Sequence, residues 1–298
     1  MSWAASMACE PIIRFGVAGW SYPDWNGTVY PRGVGDRLAY LAEYVDFIEI
    51  NSTFYRIPSS AQAGRWVRTV ELKPAFAFSA KLHQDVTHRG LLEAGSTRLF
   101  HEGLAPLAEA GRLRHLLAQF RFDFDDLPAH RERLARVSAE FGGLAPVTFE
   151  LRHRSWQSEG ALAFLRELGV NVAALDYPAG RNAFDIDDPG VGQDAYLRLH
   201  GRNAAAWFDK HAGRDETYNY YYSRAEREAL RDRAARLAHG RRSLTVVGNN
   251  HYEGKELANI LQLKALMTGG RVAVPPPLMA AYPELSEVAA ADGMLPLG

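Results

Sequence analysis

The chain has 298 residues, 47% hydrophobic and 23% charged, a balance that excludes a disordered or collagen-like polypeptide. Lys and Arg total 34 and Asp and Glu 35, so a formal charge of −1 leaves no global basic field for nucleic acid or membrane, although a local patch stays open. The single cysteine, Cys9, excludes an internal disulfide and a cysteine-built zinc site.

The longest apolar runs fall short of the ~20 residues that a membrane span needs. Met1–Glu10 has no basic start and no long apolar stretch, so no signal peptide is expected. A cytoplasmic protein without a membrane partner is the expectation, and the glycosylation patterns at Asn26 and Asn51 then carry no meaning.

In chain order the first half reads as strand Phe15–Ala18, helix Arg37–Tyr44, strand Phe47–Ile50, helix Ser60–Val70, strand Phe76–Ala80, helix Thr97–Glu109 and strand His115–Ala118. The second half continues with helix Arg131–Phe141, strand Val147–Phe149, helix Gly160–Leu168, and strands Val170–Leu175 and Ala195–Leu199. Helix Ala225–His239, strand Leu244–Val247 and helix Gly254–Met267 complete it. The strands are short, rich in β-formers and bounded by Gly, Pro or polar clusters, as buried parallel strands are. Ser223 and Glu226 make a capping box before the clearest helix, and Gly240 follows it. Eight strand signals alternating with helices favour a single (β/α)8 TIM barrel spanning 1–298, with its core at about 12–270. Periodicity alone leaves an open doubly wound sheet as the alternative. Gly201–Tyr222, holding Trp207, Tyr218, Tyr220, Tyr221 and Tyr222, reads as a long irregular insertion, either a lid or a packed excursion. The Ala- and Pro-rich residues 271–298 read as an extended or disordered tail.

In a barrel, the C-terminal ends of the strands converge on one mouth, where the chemistry of barrel enzymes sits. Nearly every strand here ends in polar residues. Strand one runs into Trp20, and strand two carries Glu49 and Asn51 with Tyr55 beyond. Strand three ends near Lys81, His83 and His88, strand four at Gln119, and strand five at Glu150 and Arg152, with Trp156 following. Strand six ends at Asp176, strand seven carries Arg198 and His200, and strand eight leads into Asn249, Asn250 and His251. Charged or amide groups at seven strand ends exceed what rim polarity explains, because an apolar interior would be cheaper than buried charge.

The segments GVAGWSYPDWNGTVYP (16–31), FIEINSTFYRIP (47–58), FAFSAKLHQDVTH (76–88), LLAQF (116–120), FELRHRSW (149–156), LRLHGR (197–202) and NNHYEGKELANILQLK (249–264) together resemble the domain-of-unknown-function-72 family, the YecE-like proteins. The likeness runs in order through nearly the whole chain. It implies a TIM barrel and a site at these segments, but no reaction, since the family's biochemical function is not established. Two positions depart from the family pattern: Arg121 stands where proline is usual, and Gly248 where an aromatic is usual.

Glu49 and Glu150 are the expected acid/base groups, with Lys81 and His200 stabilising developing charge. Among so many carboxylates Lys81 is expected to remain a charged clamp, whereas desolvated alone it would become an amine nucleophile. Trp20, Asn51, Tyr55, His83, His88, Gln119, Arg152, Trp156, Asp176, Arg198, Asn249, Asn250 and His251 are the expected substrate-binding residues. No metal ligand set is assigned, because Lys81, Arg152 and Arg198 oppose a bound dication and no HExxH occurs. No cofactor is expected either. GNNHYEGK (248–255) fails the P-loop pattern, and there is no GxGxxG. The helix start at Gly254 and Lys255, together with Arg198 and His200, suggests an anion cradle. The expectation is therefore an enzyme using acid/base chemistry on a small polar anionic substrate, phosphorylated or carboxylated and sugar-like, such as a phosphate-containing metabolite. A nucleic-acid-binding barrel and a metal-dependent phosphodiesterase-like barrel are the alternatives.

Overall fold

Short β-branched and aromatic runs become strands that are buried on both faces, and eight of them close on themselves. They are β1 Ile12–Ala18, β2 Phe47–Ile50, β3 Ala77–Lys81, β4 Leu113–Gln119, β5 Val147–Glu150, β6 Asn171–Asp176, β7 Asp194–Leu199 and β8 Ser243–Gly248. In this computed structural model, which describes residues 10–291, they pair in parallel in sequence order, and β8 returns to β1. The fold is a (β/α)8 TIM barrel, so the open doubly wound sheet is excluded.

The main helices are α1 Arg37–Leu41, α2 Ser60–Thr69, α3 Ala94–Glu109, α4 Pro128–Phe141 and α5 Glu159–Glu167, then α6 Ala204–Phe208, α7 Arg214–Thr217, α8 Arg224–Ala238, α9 Lys255–Thr268 and α10 Pro276–Ala281. Side chains of Asp36, Ser59 and Ser158 cap α1, α2 and α5, and the Ser223–Glu226 capping box opens α8. Residues 177–193, between β6 and β7, carry no helix.

Two apolar layers hold the barrel. The larger lies between sheet and helices and includes Phe15, Ile48, Phe78, Leu134, Val246 and Leu261. A smaller one fills the barrel itself with Ala18, Phe47, Ala77, Leu117, Ala173, Leu175, Tyr196 and Val247. Polar side chains sit above this plug, and their height along the strands sets the site.

Two expectations are corrected. The segment after Val272 is not a bare extended tail: α10 and a 3-10 turn at Pro283–Glu287 pack Leu278 and Leu285 into the core, and Val272 bridges Ala289. Its last part, 292–298, lies outside the described residues, as do Cys9 and the start of the Met1–Glu10 segment. The insertion at 201–222 is not wholly irregular, since it folds α6 and α7. Among the described residues no helix is long and apolar enough to cross a membrane.

Candidate functional site

Alternation along the strands sends Glu49, Lys81, Gln119, Glu150 and Arg198 inward at the C-terminal ends. Arg198 is the hub. Its Nη2 donates to Glu49 Oε1 at 2.6 Å and its Nε to Glu49 Oε2 at 3.1 Å, while Nη1 donates to Glu150 Oε2. Nη2 also reaches Asn249 Oδ1 at 3.1 Å. Arg152 covers the other Glu150 oxygen, with Nε and Nη2 at 2.7 and 2.6 Å from Oε1. Tyr196 donates its hydroxyl to Glu49 Oε2 at 2.9 Å and meets Ser79 Oγ at 2.9 Å. Glu49, Glu150 and Arg198 are each 0% exposed.

These bonds decide the protonation states. Burial pushes the Glu150 carboxyl up, but the Arg198 and Arg152 guanidinium groups outweigh it and hold Glu150 well below the usual range. A carboxylate bonded in this way is a counter-ion and a poor base. His200 is held neutral, its proton affinity lowered by burial more than the nearby Glu150 raises it. Because Asn249 Oδ1 accepts from Arg198, its Nδ2 donates to His200 Nδ1 at 3.0 Å. His200 Nε2 lies 3.4 Å from Arg198 Nη1 and 3.7 Å from Glu150 Oε1.

Lys81 remains mostly charged at neutral pH, as expected, but no carboxylate holds it. Its Nζ donates to Gln119 Oε1, a neutral amide, at 2.6 Å and lies 4.7 Å from the Phe54 ring centre. Neither carboxylate takes it as a salt-bridge partner, because Arg198 and Arg152 already occupy both. Burial and then the Arg198 charge lower the ammonium to about 8, against the opposing pull of Glu49 and Glu150.

Tyr177, Trp207 and Tyr218 surround His200, with ring centres 6.2, 6.0 and 6.5 Å away. Trp207 and Tyr218 come from the 201–222 insertion. That insertion is tied down where Asn259 Nδ2 donates to the Tyr220 carbonyl at 3.2 Å and Tyr222 donates its hydroxyl to Asp176 at 2.6 Å. The Arg152 guanidinium lies over Trp207 at 5.8 Å.

Other expected site residues fall elsewhere. Trp20, Asn51 and Tyr55 line a neighbouring cleft of about 390 Å³ with Tyr22, Gln62, Trp66 and Arg214. Asn51 begins a 3-10 turn, and its Nδ2 is spent on the Ala18 carbonyl at 2.9 Å. Asp176 does not join the central cluster: Arg202 grips both of its oxygens, so the mouth carries two carboxylates rather than three. Trp156 is corrected from binding residue to core, fully buried and donating to the Phe124 carbonyl at 2.7 Å. His83 bonds the Tyr55 carbonyl at 3.2 Å, and His88 packs on Phe54 at 4.9 Å, on the flank beside β3. Asn250 is buried and bonds the Tyr220 carbonyl, and His251 stacks under Tyr22 at 4.4 Å. The anion cradle at α9 is also corrected. Gly254 donates its amide to the His251 carbonyl at 3.1 Å, and Val29 and Leu278 fill the space where a Cβ would stand, so the helix start is closed off. Gly248 faces α9, where Glu256 and Ile260 leave no room for an aromatic, and Arg121 pairs with Asp123 on the surface.

Tyr196, Ser79 and Phe54 belong to the mouth and were not assigned a role from sequence. The Tyr196, Arg198, His200 spacing of two carried the signal for the first. Among the described residues no three His, Cys, Asp or Glu side chains stand together as a metal ligand set.

The family described as "Protein of unknown function DUF72" matches residues 14–281. A DUF72 family protein from Thermotoga maritima is 29% identical, covers 86% of this chain and 99% of its own, and superposes with a TM-score of 0.75. One from Enterococcus faecalis, 24% identical over 86% of this chain and 96% of its own, has the same fold at a TM-score of 0.75. No curated protein matches the chain.

Proposed function

The chain belongs to the DUF72 family, and from the geometry of its barrel mouth we propose an enzyme that acts by acid/base chemistry on a small, polar, anionic substrate. The observation that carries this reading is the charge balance: Arg152, Arg198 and Lys81 face only Glu49 and Glu150, since Asp176 is taken by Arg202. The surplus cation favours a phosphate or carboxylate group, and Arg152, still partly exposed, offers a planar fork for it. The acid/base role moves from the carboxylates to Lys81, which gives and takes a proton near neutral pH. Neutral His200, beside Arg198 and Asn249, adds a polar group where negative charge would develop. The aromatic wall of Tyr177, Trp207 and Tyr218 suits the apolar face of a sugar-like ring.

Phosphorylated and carboxylated sugar-like compounds, ranked by thermal shift, test this. Ligands that stabilise are then incubated in deuterated water, and proton exchange or product is followed by NMR. Stabilisation lost in Arg152→Ala, with exchange lost in Lys81→Met, supports the reading. Ligands that stabilise both variants as they do wild type would refute it, and so would oligonucleotide binding with a steep salt dependence.

A further inference from the structure

We propose that Lys81 is a covalent nucleophile whose Nζ condenses with the carbonyl group of the substrate to form a Schiff base at the barrel mouth. The inference rests on the reading of the mouth as a substrate site and names the substrate as an aldehyde or ketone that carries a negative group.

A comparison within the chain separates Lys81 from its other lysines. Lys73 pairs with Glu43 at 2.6 Å, Lys255 with Glu253 at 2.8 Å and Lys264 with Asp46 at 2.7 Å, and Lys210 stands exposed. Three of these four thus have a carboxylate partner, and the fourth is open to solvent. Lys81 has a neutral amide and a ring face instead. Nearby guanidinium charge penalises its ammonium further. With its proton affinity lowered to about 8, roughly a tenth of Lys81 is free amine at neutral pH, far more than for an ordinary lysine.

The position is also fixed. The Lys81 carbonyl accepts from the Thr53 hydroxyl at 2.7 Å, which pins the end of β3. Gln119 takes one N–H of the amine, so the nitrogen lone pair is left to point elsewhere in the mouth. The Lys81 residue is partly exposed at the rim of the mouth.

The step balances without a co-reactant. The amine lone pair forms the C–N bond as the carbonyl π pair moves to oxygen, and a proton passes from nitrogen to that oxygen. The carbinolamine then expels the hydroxyl with the second amine proton, as water. The imine nitrogen can take a proton to become an iminium, which draws electrons from the adjacent carbon.

The test treats the native protein, at pH ~7.5, with glyoxylate or with the neutral aldehyde glycolaldehyde in the presence of cyanoborohydride. Peptide mass spectrometry reads each lysine separately. Reduction traps the imine as a secondary amine, and the Lys81 peptide gains the mass of the aldehyde less one oxygen. Lys81 should label about ten-fold or more faster than Lys73, Lys255 or Lys264, and faster with glyoxylate than with glycolaldehyde. Urea should abolish the difference, a control that needs no folded variant, and Lys81→Arg should remove the label. Labelling of Lys81 no faster than Lys73 overturns the proposal. If anionic ligands still stabilise the protein in that case, the reading of the mouth survives without the covalent step. Fast labelling that is equal with both aldehydes keeps the nucleophile and refutes the anionic substrate.

Discussion

Arg198 on β7 holds Glu49 on β2 at two points, Nη2 to Oε1 at 2.6 Å and Nε to Oε2 at 3.1 Å, inside a barrel that hides both side chains from water. Such a pair is worth little against a well-packed apolar replacement, but removing one partner strands a buried charge. Glu49→Leu should cost about 3–5 kcal/mol in urea denaturation. Arg198→Met should cost more, because it abandons Glu150 and Asn249 as well. The double variant should lose less than the sum of the two. Strict additivity would show that the two side chains do not depend on each other.

Lys81 gives a pH signature of stability. Its folded-state proton affinity, about 8, lies below the ordinary lysine value of 10.5, so the unfolded chain binds more proton between those limits. Stability therefore rises with pH across that window, and the cost of burying the ammonium is complete below it. Relative to Lys81→Met, wild type should gain about 3 kcal/mol between neutral pH and the upper limit. A constant difference between the two proteins would place the Lys81 ammonium in water.

Phosphate distinguishes the mouth from the start of α9. At about ten times its dissociation constant it should stabilise wild type by about 1.4 kcal/mol, read as a rise in melting temperature. Arg152→Ala and Lys81→Met should lose that rise, and Lys255→Ala should keep it. The opposite pattern would move the anion to the helix start.

Glu256 is an internal weak point. It is fully buried on α9, and neither carboxylate oxygen has a hydrogen-bond partner. Burial pushes its carboxyl well above the usual range, so its contribution is best in acid and is lost as pH rises past the ordinary glutamate value. Glu256→Met should stabilise by about 1–3 kcal/mol at neutral pH, with a smaller gain in acid. Denaturation at both pH values measures this, and a loss at neutral pH would mean that the carboxylate has a partner.

The strands were legible because each β-rich run is short and sharply bounded, and the observed limits of Phe47–Ile50 match the reading residue for residue. The inward position of Arg198 and His200 followed from their spacing of two. Pairing was not legible. Glu49 and Arg198 stand 149 residues apart on strands that are not neighbours, and no local pattern says that Arg198 takes both carboxylates and leaves Lys81 to an amide. Trp156 misled for a related reason. It follows a strand end, but a 3-10 turn at Arg154–Gln157 folds its indole inward to the Phe124 carbonyl.

The ion cluster has a mechanical consequence. The β5–β6 register runs only from Thr148–Asn171 to Phe149–Val172, which makes it the shortest seam of the barrel. Arg198 on β7 reaches over β6 to Glu150 on β5, and so clasps the wall on either side of that seam. To part β5 from β6, the chain must first break the ion pair that a ligand would meet. Amide exchange along β6 should thus report on the mouth: ligands that tighten the clasp would slow it, and variants that open the clasp would let solvent into the wall before the rest of the barrel loosens.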